Sequence, residues 1–199
     1  MSRFLFVVAA TILLLSACQN ATETSTKPPA EQKAPAPVAA TATPPRVMTA
    51  VRVTGYAGDQ KDLLKASDPK LAANKKLAYD FFRIVLRGRR LTQADQFMTE
   101  DYIQHNPNAD TGMAGFKAYF SALGGEQPIP DTLEGLVAIQ ADGDYVTLSF
   151  SREYQDPAIP DATYTTTWFD MFRIVNGKIV EHWDTATKGA GPVRVNTRG

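Results

Sequence analysis

Trp168-Phe-Asp-Met-Phe-Arg-Ile-Val175, then Asn176-Gly177, then Lys178-Ile-Val-Glu-His-Trp-Asp184 is the stretch that decides the fold. Asn-Gly between two runs rich in aromatic and β-branched residues is a strong hairpin signal. Residues two apart on a strand share a face, so His182 and Asp184 share one face and Trp183 takes the other. The position of Asp170 depends on the turn. A two-residue turn pairs Val175 with Lys178 and sets Asp170 opposite Trp183. A three-residue loop with Gly177 as a left-handed bulge pairs Ile174 with Lys178. Asp170 then faces His182, Phe172 faces Val180 and Trp168 faces Asp184. One residue of slip moves the whole set to the other face. The bulged register is the expectation, because it groups three ionisable residues among Trp168, Phe172 and Val180.

Upstream of this hairpin the period is also two. Strands are expected over Leu133 to Ala141, Tyr145 to Glu153 and Thr163 to Val175, with the return strand over Ile179 to Thr185. Val146, Leu148 and Phe150 take one face of the second, and Tyr145, Thr147 and Ser149 the other. Further upstream the period is helical. Asp68-Pro69 opens a helix that carries Leu71, Leu77, Ala78, Phe81, Phe82 and Val85 and stops at Gly88. A shorter helix runs from Thr92 to about Met98, and Thr99-Glu100-Asp101 reads as the start of one more turn. A third helix, from about Gly112 to Leu123, buries Met113, Phe116, Phe120 and Leu123. Helices followed by an antiparallel meander make an α+β domain.

The remainder of the chain is organised differently. Phe4 to Leu15 is an apolar run too short to span a bilayer and suited to a signal peptide. It ends in Leu15-Ser16-Ala17-Cys18, which resembles a bacterial lipobox, with Cys18 as the lipidated residue. Residues 1–17 are therefore expected to be a signal peptide and 18–45 a lipidated, disordered Pro/Ala/Thr tether. The expected location is the cell envelope, anchored in the membrane through the lipid on Cys18. With Gln19 after the Cys, that means the outer membrane, facing the periplasm, if the host is Gram-negative. Residues 46–69 read as an extended arm, 70–188 as the domain and 189–199 as a tail.

Composition narrows the function. Twenty-one Lys and Arg balance twenty-one Asp and Glu, so no basic excess exists for binding nucleic acid by bulk charge. The single Cys excludes an internal disulfide and a Cys-based zinc site. With only two histidines, any imidazole chemistry rests on His105 and His182. His182, Asp184 and Asp170 could form a proton-transfer group, since burial among aromatics makes a carboxylate a usable base. The spacing alone reads equally as a solvated edge or a structural ion pair. His105 lies in Tyr102-Ile-Gln-His-Asn-Pro-Asn108, and taken by itself it caps a helix or sits at the surface.

Tyr102-Ile-Gln-His105-Asn106-Pro107, together with the closing hairpin from Asp170 to Asp184, resembles the SnoaL-like polyketide cyclase family of the nuclear transport factor 2-like superfamily. The resemblance covers about Lys70 to Thr187. It implies a cone: a curved antiparallel sheet wrapped by three N-terminal helices around an apolar pocket, commonly dimeric through the sheet. It implies cofactor-free and metal-free chemistry, in which an Asp removes a proton beside a carbonyl and the enolate closes a ring by aldol condensation. Asp184 matches the base position and Asp170 the polar partner position. His182 and His105 would line the same pocket.

Tyr102 could donate a hydrogen bond there. Trp168, Phe172, Phe116, Phe120 and Tyr79 could form the apolar wall, although helical and strand spacing alone reads them as plain core. The expected partner is a small apolar carbonyl-containing ligand, and the expected assembly is a homodimer through a sheet face carrying Phe169, Met171 and Ile179. Two alternatives stay open beside the enzyme: a non-catalytic binding lipoprotein that captures a small apolar ligand, and a divalent-metal site built from His182, Asp184, Asp170 and His105.

Overall fold

The computed structural model describes residues 51–191. The signal peptide, Cys18 and the tether lie outside the described residues, as does the tail beyond Gly191. Among the described residues no helix is long and apolar enough to cross a membrane.

Helix α1 spans Pro69–Phe81. The Asp68 carboxylate accepts from the Lys70 amide at 2.8 Å, and Pro69 fills the first turn, where its missing N–H costs nothing. The helix then widens into a π-turn over Phe82–Arg87, closed by the Gly88 amide bonding back to the Arg83 carbonyl at 2.8 Å. A Cβ on Gly88 would lie 2.7 Å from the Ile84 carbonyl oxygen, so glycine is required for this closure. A 3-10 segment, Leu91–Gln96, replaces the expected second α-helix. Helix α2 is Gly112–Ser121, and it buries Met113 and Phe116.

Five strands form one curved, unclosed sheet in the order β1-β5-β4-β3-β2: β1 Met98–Gln104, β2 Leu136–Asp142, β3 Tyr145–Gln155, β4 Thr163–Val175 and β5 Lys178–Asp184. With the helices this is the expected α+β arrangement, with two corrections. First, Met98–Gln104 is a strand rather than a helical turn, and it pairs parallel with β5, so the sheet is mixed. Its acidic residues resemble a helix start, but pairing with a strand about eighty residues later in the chain outweighs local preference. Met98 and Tyr102 point inward while Glu100 and Asp101 face water.

Second, the turn is the two-residue alternative rather than the expected three-residue loop, and a bulge beyond it makes the site's partners differ from both registers. Val175 pairs with Lys178 across a two-residue turn, with Asn176 at φ 51° and Gly177 at φ 71°. This left-handed pair suits Asn-Gly. A bulge then follows on β5: Ile174 pairs with Ile179, but Arg173 pairs with Glu181. The extra residue, Val180, restores the parity expected for the site but shifts its partners. Phe172 stands opposite His182, and Asp170 opposite Asp184.

Residues 51–59 lie against the sheet. The Val53 amide donates to Thr165 Oγ1 at 2.7 Å, and the Ser151 hydroxyl donates to the Val53 carbonyl at 2.6 Å. Gln60, inside a 3-10 turn over Gln60–Leu64, is buried; it bonds both the amide and the carbonyl of Leu133 and accepts from the Tyr79 hydroxyl at 2.9 Å. Tyr79 is thus a core residue holding this segment rather than part of the pocket wall.

The core fills the space between the helices and the inner face of the sheet. Phe81, Phe82, Phe150 and Phe172 form an aromatic chain with centroids 5.0 to 5.8 Å apart. Fully burying one such ring stabilises the fold by about 1.5–3 kcal/mol.

Candidate functional site

Strand pairing places the site in adjacent rows on the inner face. One row runs Val146, Phe172, His182 and Gln104 across four strands; the next runs Leu148, Asp170 and Asp184. Above them a cavity of about 320 Å³ opens between the sheet, α1 with its π-turn, and α2. Apolar surface dominates its walls, which include Phe81, Phe82, Phe116, Phe120, Trp168 and Phe172.

His182 is the hub of the polar end. Its Nε2 meets Asp170 Oδ1 at 3.1 Å and its Nδ1 meets Gln104 Oε1 at 2.9 Å. The orientation of the Gln104 amide follows from its neighbours: the Asn106 amide donates to Oε1 at 3.0 Å, and Nε2 donates to the Tyr102 hydroxyl at 2.8 Å. Gln104 Oε1 and Asp170 Oδ1 both face the imidazole as acceptors, so the ring is held between two partners. Phe172 stacks on it, with centroids 4.8 Å apart. Asp170 Oδ2 is buried and has no hydrogen-bond partner among the described residues.

Asp184 is held separately. Its Oδ2 accepts from Asn106 Nδ2 at 2.7 Å, and its Oδ1 accepts from the Ala186 amide at 2.9 Å. These bonds fix the carboxylate at the cavity wall. Tyr102 is 2 % exposed. Burial first, then the charges of Asp184 and Asp170, push its phenol well above its usual pKa. It is therefore a protonated donor, and no described residue accepts that proton. Tyr119, from α2, is also raised, by burial and then by Asp184.

Asp184, His182, Asp170, Tyr102, Trp168, Phe172, Phe116 and Phe120 all line the cavity. His105 does not. One residue after inward-facing Gln104, it projects to the other face of the sheet. There its Nε2 meets Glu181 Oε1 at 2.8 Å and its ring stacks on Trp183, with centroids 4.8 Å apart and planes 7° apart. Its side chain is 41 % exposed. The period of two, carried from β1 into the loop, separates the two histidines.

Residues at the cavity that were missed or misread from the sequence include Gln104, Asn106, Arg87 and Arg152. Asn106 reads as a turn residue before proline, yet it is 7 % exposed and orients Asp184. Arg87 reads as a charge at a helix end. A signal existed for Arg152, which continues the inward series Val146, Leu148, Phe150. Asp170, His182 and Asp184 could also hold a divalent cation, each offering a ligand atom within 4.8 Å of the others. Both nitrogens of His182 are already hydrogen-bonded, so metal binding there would break one of those bonds.

An α+β domain with a curved sheet closing over an acid-lined apolar cavity is the class this geometry defines. The chain belongs to the SnoaL-like domain family, whose model matches residues 78–182. No curated protein sequence matches it. Among solved structures it is similar to TsrD from Streptomyces laurentii, at 20 % identity over 60 % of this chain and 90 % of that one, with a TM-score of 0.41. It is also similar to a putative polyketide cyclase from Bacillus cereus, at 19 % identity, 59 % and 76 % coverage and a TM-score of 0.40. A putative polyketide cyclase from Xanthomonas campestris shows 20 % identity, 56 % and 88 % coverage and a TM-score of 0.41.

Proposed function

We propose that the domain catalyses cofactor-free proton abstraction beside a carbonyl, leading to aldol cyclisation or isomerisation, with Asp184 as the base. The observation that carries this reading is a carboxylate fixed by Asn106 and the Ala186 amide in an apolar cavity that also holds a protonated Tyr102. Asp184 takes the proton from the carbon next to the carbonyl, and the C–H electron pair moves into the enolate. The Tyr102 hydroxyl donates to the enolate oxygen, where a positioned donor lowers the barrier. The enolate carbon then attacks a second carbonyl of the same molecule, and protonated Asp184 returns its proton to the new alkoxide. In an isomerisation the proton returns to a different carbon. The His182–Asp170 pair keeps Gln104 in place, and Gln104 in turn orients the Tyr102 hydroxyl.

Lipidation at Cys18 would present this chemistry at the cell envelope, with the outer membrane as the proposed site in a Gram-negative host. A non-catalytic binding lipoprotein is the second reading, favoured by the largely apolar cavity wall. Hydrogen–deuterium exchange beside the carbonyl of small aryl ketones, followed by NMR, separates the two. Asp184→Asn is expected to lower the exchange rate by about 10²–10⁴-fold, the usual worth of a general base, and to leave ligand affinity within about twofold. Binding without exchange in the wild type would replace the enzyme by the binding protein.

A further inference from the structure

Every arginine of the described domain has a hydrogen-bonded partner except two. Arg52 pairs with Glu153, Arg83 with Asp80, Arg90 with Glu126 and Arg173 with Glu181, and Arg89 bonds the Leu123 carbonyl. Arg87 and Arg152 make no hydrogen bond or ion pair with any described residue, and both line the cavity. They come from separate elements, the π-turn after α1 and strand β3. The Arg152 guanidinium lies 3.5 Å from the centroid of the Trp168 ring, which fixes its plane. Arg152 Nη1 and Trp168 Nε1 are buried donors with no acceptor.

Unpartnered buried donors are costly, and two guanidiniums brought together repel. Burial and then the charge of Arg152 hold Arg87 below the usual arginine range; Asp170 and Glu134 act on it favourably, but neither is within ion-pair distance. Such an arrangement is stabilised by an acceptor from outside the chain. The acceptor must be anionic, to match two cations, and must offer several oxygens, to match forked donors.

We infer that Arg87 and Arg152 bind an oxyanionic group of the ligand, so that the substrate is an anionic carbonyl compound rather than a neutral apolar one. The inference rests on the reading of this cavity as the site of a carbonyl substrate. It also supplies an orientation. Arg152 lies four residues along β3 from the row that holds Asp170 and Asp184, about 13 Å of backbone. The anion would sit at the Trp168 end and the reacting carbonyl at the Asp184 end.

The test compares 4-acetylbenzoate with its methyl ester, which differ in charge but share the ketone. Affinities are measured by calorimetry on the full chain, and exchange of the acetyl protons by NMR in deuterium oxide. The acid is expected to bind at least about tenfold tighter than the ester, the usual scale for a charge-assisted contact. Arg152→Met and Arg87→Met are each expected to erase that preference without weakening the ester. Circular dichroism identifies a variant that fails to fold, and the other variant then carries the test. Equal affinities, no binding of the acid at about 10 mM, or a preference that survives both substitutions overturns the assignment. Acid preference without proton exchange would refute the enzyme and leave the anion site standing. Exchange of both probes with equal affinity would do the reverse.

Discussion

Asp170 and Asp184 stand directly opposite each other on neighbouring antiparallel strands, yet each is engaged by a different partner. Like charges in such a pair destabilise a sheet. Here Asp170 is hydrogen-bonded to His182, while Asp184 draws on Asn106 and the Ala186 amide. The division leaves one carboxylate structural and the other free to meet a ligand.

The His182–Asp170 pair is buried, each side chain being 9 % exposed. Removing one partner of a buried pair leaves the other uncompensated. Asp170→Ala is therefore expected to destabilise the domain by about 3–5 kcal/mol, read from urea denaturation. A nitrogen–proton correlation spectrum should show a His182 ring N–H protected from solvent exchange by its bond to Asp170. A rapidly exchanging ring N–H there would overturn that bond.

Tyr102→Phe removes the proposed enolate donor but keeps the ring that packs on Phe116, 6.2 Å between centroids. Loss of one positioned donor typically costs about 10²–10³ in turnover. The expected outcome is that loss with KM changed by no more than about twofold. An unchanged turnover number would remove Tyr102 from the mechanism.

On the outer face, the hydrogen bond from His105 and then that from Arg173 hold the Glu181 carboxyl below its ordinary value of 4.5. A carboxylate depressed in the folded state stabilises the fold above its unfolded pKa, and that contribution is lost as pH falls through the folded value. Between about pH 6 and about pH 3, wild type should therefore lose more stability than Glu181→Gln. Parallel losses in thermal melts of the two proteins would show that this cluster contributes nothing.

The same face carries the proposed dimer contact, with one change from the sequence reading. Phe169 is 46 % exposed and Tyr145 45 %, whereas Ile179 is 0 % exposed and belongs to the core. The bulge at Val180 accounts for this, because it puts Ile179 on the same face as Ile174. A homodimer through Phe169 is expected in light scattering of the purified domain, and Phe169→Glu should shift it to monomer. A monomeric wild type at high concentration would refute the contact.

By itself the sequence determined the elements with strong local signals. The Asn176-Gly177 turn, the alternation along β3 and β4, and the Asp68-Pro69 start of α1 depend on backbone preferences and on periods of two and 3.6, which nearest neighbours along the chain set. It also put His182 and Asp184 on one face; Asp170 joins them only because the bulge at Val180, which neither expected register contained, restores the parity. Tertiary structure alone decided the rest. β1 is a strand only because β5 offers its edge, a pairing no local window contains. That strand sends Gln104 inward and His105 outward, which removes one expected site residue and supplies another. The unpartnered state of Arg87 and Arg152 is a fact about distances between separate elements, and no pattern along the chain records it.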